Sequence, residues 1–206
     1  LMAYETFHGL DIKGLIGHKT HVLFIDSSSP EMMDGYSRVN YGEVETIDKL
    51  LTKFENSDSF QRYLEKFDKD EDKQIGIISF YGKQIKQLQS IAFKHSSLPI
   101  RVSTVDRFQG MERNIVIVSM VRSNIIQSSR DQKPDKKRYP ELGYPVQKSL
   151  GFAQSPNRLN VALSRAKRLL IIVGNQELFS SLDIYQRLFT TIKTNSNNRI
   201  LKQDEV

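Results

Sequence analysis

Apolar residues along this chain fall into short blocks bounded by polar stretches. Four blocks, His21 to Ile25, Ile75 to Phe80, Asn114 to Val121 and Arg168 to Val173, are rich in Val and Ile and too short for helices of their own. None alternates cleanly with period two, which is the pattern of strands covered on both faces, as in a parallel sheet. A fifth, weaker block runs from Ile100 to Thr104.

Helical patterns fill the gaps. Asn40 and Glu43 form an Asn-x-x-Glu capping signature ahead of Val44, Ile47, Leu50 and Leu51. Ile85, Leu88 and Ile91 recur at helical spacing after the second block. Ser155 and Pro156 read as an N-cap and first-turn proline, opening a helix with Leu159, Leu163 and Ala166 along one side. Strands alternating with helices predict βαβ units, and so a three-layer α/β domain with a mostly parallel sheet over residues 21–192. Residues 1–20 read as a lead-in strand or a linker. Residues 123–149, with Pro134, Pro140, Pro145 and a run of Lys and Arg, read as a mobile loop or functional insertion. Residues 193–206 form a polar tail expected to fray.

Composition narrows the classes. With 206 residues, 38% apolar and 26% charged, the chain can bury a real core and is not disordered throughout. A net charge of +6 permits a polyanionic partner without requiring one. The lack of cysteine excludes disulfides and thiolate metal sites, and His8, His18, His21 and His95 have no metal-ligand spacing, so no metal site is expected. No apolar run nears membrane-spanning length and the N-terminus lacks the build of a signal peptide. The expected setting is intracellular and cytoplasmic, or nuclear in a eukaryote, with no membrane partner.

Two segments carry candidate chemistry. The first is Ser103-Thr-Val-Asp-Arg-Phe-Gln-Gly-Met-Glu112, leading into the block that ends at Val121. In parallel α/β sheets, ligands sit near the carboxyl ends of strands, where such turns are exposed. Thr104 has a hydroxyl for phosphate, and Glu112 can accept from a sugar or an arginine. Read from spacing alone, an ordinary loop with Asp106 capping a turn is the simpler account. The second is Ser155-Pro-Asn-Arg-Leu-Asn-Val-Ala-Leu-Ser-Arg-Ala-Lys167. Helical spacing places Arg158, Ala162 and Arg165 on one face, opposite Leu159, Leu163 and Ala166. Paired guanidinium groups suit phosphate oxygens, although for arginines read in isolation a solvated basic helix face is the simpler account.

Taken together, the segments resemble superfamily 1 helicases. Val-Asp-x-Phe-Gln-Gly-x-Glu before a Val/Ile strand ending in Val-Arg-Ser resembles their motif V, and Arg-Leu-Asn-Val-Ala-Leu-Ser-Arg-Ala-Lys before Ile-Ile-Val-Gly-Asn resembles motif VI. Ile77-Ile-Ser-Phe-Tyr-x-x-Gln84 and Ser37-x-x-Asn-x-x-Glu43 are similar to elements of the branch holding the nonsense-mediated-decay helicase, senataxin-type helicases and the Dna-two nuclease-helicase. The resemblance spans about His21 to Asn175. Asn114 stands where the branch usually has an acidic residue, Phe80 replaces a common proline, and the 123–149 loop is longer than in close relatives of the nonsense-decay helicase.

The resemblance implies the C-terminal RecA-like motor domain of an ATP-dependent DNA or RNA helicase or translocase, working with ATP and Mg2+ against an N-terminal RecA-like domain of the same polypeptide. Arg165 would be the arginine finger. Gly110 and Glu112 would approach the nucleotide with Arg158 supporting them, and Ser79, Tyr81 and Thr104 would touch single-stranded DNA or RNA. The chain itself has no complete phosphate-binding loop: between Gly76 and Gly82 lie five residues rather than four, and Gln84 stands where Ser or Thr is required. The acidic run Asp68 to Asp72 lacks a preceding strand and reads as a solvated loop. The fragment alone is therefore expected to be inactive. The alternative reading is a non-catalytic RecA-like module that binds nucleic acid or acts as a scaffold.

Overall fold

The computed structural model describes residues 8–34, 37–65, 74–123 and 150–206. The acidic run and residues 124–149 of the expected insertion lie outside the described residues.

The apolar blocks become a single parallel sheet. Its strands are β1 (Val22–Asp26), β4 (Ile75–Ser79), β5 (Ile100–Thr104), β6 (Arg113–Ser119), β7 (Ala166–Gly174) and β8 (Arg199–Lys202), in the order β5-β4-β6-β7-β1-β8. Every neighbouring pair is parallel. Strands β4 and β6 are buried almost end to end, which explains why their sequences run apolar without alternation. Between β1 and the first helix, β2 (Met32–Asp34) and β3 (Ser37–Val39) pair as a small antiparallel ribbon.

Helices cover both faces. One apolar layer joins Leu23, Ile25, Ile77, Ile117 and Ile171 of the sheet to α1 (Tyr41–Glu55), α2 (Asp58–Glu65) and α3 (Gly82–Lys94). The other joins Phe24, Ile78, Val118 and Ile172 to α4 (Pro156–Leu163), α5 (Gln176–Phe179) and α6 (Asp183–Thr194). The expected three-layer α/β architecture is present.

Several expectations change. The polar tail is structured: Arg199–Lys202 pairs with β1 as an edge strand, Leu201 enters the core, and Gln203 accepts from Ser27 and Ser29. A four-residue edge strand with only Ile200 and Leu201 apolar carries little pattern, so its sequence looks like a tail. The described part of the first twenty residues is no loose linker, because Leu10, Ile12, Leu15 and Ile16 are buried against the α1–α3 layer. Helix α4 stops at Leu163, so Arg165 and Ala166 are not on it. Ala166 instead opens β7, paired with Arg113, and the strand takes over the residues that helical spacing had claimed. Ala162 faces the core beside Leu159 rather than the solvent side.

The capping signature is half as read. Asn40 Oδ1 accepts from the Glu43 N–H at 3.0 Å, as an N-cap does. The Glu43 side chain does not return to its own helix. It is fully buried and runs to the end of β6.

Candidate functional site

The expected site residues separate into two groups at opposite ends of the sheet. The upper group lies at the carboxyl ends of β4, β5 and β6. The lower lies at the amino ends of β6 and β7, ~20 Å away at about 3.3 Å per strand residue.

The lower group is built by one backbone contact. The Arg113 N–H donates to the Arg165 carbonyl at 2.9 Å, so the turn ending at Glu112 lies beside the turn that leaves α4. Gly110 has φ +80 and is exposed, the left-handed conformation a glycine tolerates best. Glu112 is exposed, and its carbonyl accepts from Arg113 Nη1 at 2.6 Å. Arg165 is half-buried, and Ser164 Oγ accepts from its Nε and Nη2 at 3.3 and 2.8 Å. This places Gly110, Glu112 and Arg165 together, although at strand amino ends rather than the carboxyl ends expected for the motif V turn. The cause is the short crossover from β5 to β6, which descends the sheet face between Thr104 and Arg113 with Phe108 packed inside. Gly76 makes room for it: a Cβ there would come within 2.5 Å of the Phe108 ring. The glycine that opens the false phosphate-loop pattern thus serves packing.

Arg158 does not join this group. Its guanidinium makes a two-pronged pair with Asp106, Nε to Oδ1 at 2.9 Å and Nη2 to Oδ2 at 3.1 Å. It also lies 4.9 Å from the centre of the Phe152 ring. Asp106 is therefore an ion-pair partner rather than a simple turn cap.

At the upper end, Thr104 is half-buried at the last position of β5. Ser79 is fully buried and donates its hydroxyl to the Ser119 carbonyl at 3.0 Å, so it offers no hydroxyl to a phosphate in this conformation. Tyr81 is also buried, with its hydroxyl hydrogen-bonded by Arg122. Burial pushes the Tyr81 phenol up and outweighs the opposing pull of Arg122. Its ring packs against Phe152 at 5.7 Å between centres.

A polar network that sequence reasoning missed underlies this end. Glu31, fully buried, accepts from Arg122 Nε at 2.8 Å, from the Ser123 N–H at 2.9 Å, and from Arg38. Beside it, Glu43 lies 2.6 Å from Ser119 Oγ and accepts from the Val121 N–H at 2.9 Å. Burial pushes the Glu43 carboxyl up to about 8, against the lowering effect of those hydrogen bonds. Val121 sits at φ 71, a strained conformation for a β-branched residue. Asn40 Nδ2 donates to its carbonyl at 3.2 Å, so both polar groups of the strained peptide are held by the start of α1. Only the Val-Arg-Ser ending of the strand hinted at this arrangement. Its partners lie 76 and 91 residues away in the chain.

A cavity of about 570 Å³ lies elsewhere, lined by Gly17, His18, Lys19, Thr20, Ser196, Asn197 and Arg199 near the amino ends of β1 and β8. None of the expected site residues borders it. Among the described residues no group of three or more His, Asp or Glu could hold a metal ion, and no helix is long and apolar enough to cross a membrane.

A family model described as an AAA domain matches residues 8–177. "Regulator of nonsense transcripts 1 homolog" of Drosophila melanogaster is 33% identical over 165 residues, covering 77% of this chain and 11% of that protein. "NFX1-type zinc finger-containing protein 1" of Mus musculus is 27% identical over 182 residues, covering 87% of this chain and 8% of that protein. "Probable RNA helicase armi" of Drosophila melanogaster is 36% identical over 115 residues, covering 56% of this chain and 8% of that protein. The chain spans about a tenth of the length of these relatives.

Proposed function

The chain belongs to the AAA domain family, in the superfamily 1 helicase branch of the nonsense-transcript regulators, and we propose that it is the second motor domain of an ATP-driven helicase or translocase. The observation that carries the reading is the Arg113–Arg165 backbone hydrogen bond, which brings Gly110, Glu112 and Arg165 to one place. In this reading, ATP binds between this domain and an N-terminal RecA-like domain of the same polypeptide. Arg165 places its planar guanidinium against the oxygens of the transferring phosphoryl group as charge builds there. Gly110 lets the backbone approach the nucleotide, and Glu112 accepts hydrogen bonds from its sugar or from an arginine. The described residues offer no ligand set for Mg2+, and helicase membership implies that ion for the whole enzyme.

The upper end would carry the single strand, DNA or RNA, with Thr104 donating to a phosphate. Arg158 supports the site at a distance: it lies in the first turn of α4 while Arg165 lies beyond the helix end, and its charge is held by Asp106.

The test is Arg165→Ala in the full-length enzyme. Strand-stimulated ATP turnover should fall by about 10³- to 10⁵-fold with the melting temperature nearly unchanged, because among the described residues the half-buried side chain bonds its neighbour Ser164 alone. Arg165→Lys should also fail, since one ammonium cannot reproduce the planar fork. Near-normal turnover in a folded Arg165→Ala enzyme would overturn the motor reading in favour of a binding or scaffold module.

A further inference from the structure

We propose that the exposed ring of Phe152 is a stacking platform for one base of the single strand, a site that rests on the motor reading above. Phe152 belongs to a single 3-10 turn, Gly151–Gln154, that leads into α4. The turn is anchored on three sides. Leu150 and Ala153 are buried, the Tyr185 hydroxyl donates to the Ala153 carbonyl at 2.6 Å, and Gly151 has φ +57 with no space for a side chain. A Cβ at 151 would come 2.7 Å from the Tyr81 hydroxyl and 3.1 Å from Arg122. Held this way, the turn presents Phe152 outward with 52% of its surface exposed.

The ring is set before any ligand arrives. Arg158 lies 4.9 Å from its centre, and Tyr81 packs against it at 5.7 Å with the planes inclined by 56°. Asp106 orients the Arg158 fork through two hydrogen bonds, at 2.9 and 3.1 Å. Phe93, at 85% exposure, is barer, but among the described residues it makes no ring or cation contact.

Charge decides which ligand suits the site. The Arg158–Asp106 pair is balanced, so an isolated phosphate gains little there. A flat neutral ring gains contact with Phe152 and the polarising cation behind it. The exposed Arg107 and the Thr104 hydroxyl lie along the same crossover and can take the phosphates of a strand whose base rests on Phe152. A lone ring offers too little apolar area for a stable protein partner, which buries roughly 800 Å² per side. Stacking on an aromatic face is tolerant of base identity, as a translocating motor requires.

The experiment measures binding of the intact enzyme to a fluorescent single-stranded homopolymer and to the same phosphodiester with abasic sugars. Phe152→Ala should weaken binding to the base-bearing strand by about 5- to 150-fold, the range for removing one aromatic stacking partner. Phe152→Trp should retain it. Wild type and Phe152→Ala should bind the abasic strand alike, and the KM for ATP should not move. Unchanged affinity in Phe152→Ala overturns the proposal. So does an equal loss on the abasic strand, which would assign Phe152 to holding the turn, or a raised KM for ATP with strand affinity intact, which would assign the ring to the nucleotide's base. Wild-type enzyme that binds no single strand overturns the motor reading as well; binding by wild type with no effect of Phe152→Ala overturns the stacking site alone.

Discussion

Glu43 makes the stability of this domain depend on pH in an unusual direction. Most carboxylates that help a fold are ionised and partnered, so acid destabilises the protein. Glu43 is fully buried, and burial moves its carboxyl from the ordinary 4.5 to about 8. Between those values the folded chain keeps a proton that the unfolded chain has released. Folded protein thus binds more protons across the window, and stability must fall as pH rises. The contribution is fully present below about 4.5, declines through the window and is gone above about 8. At roughly 1.4 kcal/mol per unit, the whole effect is on the order of 5 kcal/mol, a large fraction of the stability of a domain this size. Glu43→Gln keeps the shape and a carbonyl acceptor for the Val121 N–H, and cannot ionise. Urea unfolding of both chains at pH 5, 6.5, 8 and 9 is the assay, with the difference between them isolating Glu43 from other titrating groups. The variant should gain on the wild type by several kcal/mol between pH 5 and pH 9. Parallel curves for the two proteins would refute the assignment, as would a wild type that gains on the variant.

Two further outcomes follow from the packing. Arg122→Ala removes the main partner of a fully buried Glu31 carboxylate and should cost about 3–5 kcal/mol in urea unfolding; a loss under about 1 kcal/mol would show that the pair contributes little. Gly76→Ala should cost about 1–3 kcal/mol by driving a methyl group to 2.5 Å from the Phe108 ring, and the melting temperature should partly recover in Gly76→Ala/Phe108→Leu.

What the sequence made legible follows physical lines. Strands β1, β4, β6 and β7 were readable because they are covered on both faces and so must be apolar throughout. Strand β8 was not, because it lies at the sheet edge and is four residues long, with only Ile200 and Leu201 apolar between Arg199 and Lys202. Arg165 and Ala166 continue the helical spacing of α4, and nothing local says that Ala166 will pair with Arg113, 53 residues earlier. Asn40 and Glu43 show the same limit. The cap was local and visible, while the bond from Glu43 to the end of β6 depends on a fold that must already exist. Arg158 and Asp106 were each noticed for local reasons, and their pairing was not, since 52 residues separate them.

The pairings that were invisible explain why the two recognisable segments occur together. The crossover from Thr104 to Arg113 and helix α4 both run from the upper end of the sheet to the lower, over the same face. Arg158 and Asp106 join them near the top, and the Arg113 N–H and Arg165 carbonyl join them at the bottom. Phe108, Leu159 and Ala162 fill the layer beneath them. Two segments joined at both ends, over a close-packed layer, are coupled mainly through that layer, because interiors at crystal-like density transmit displacement rather than absorb it. The Gly110–Glu112 turn and the Arg165 turn share the lower contact, and the Phe152 ring, beside Arg158, sits at the far end of the same construction. The two segments lie far apart in sequence, and their spacing in the fold is set by these two contacts.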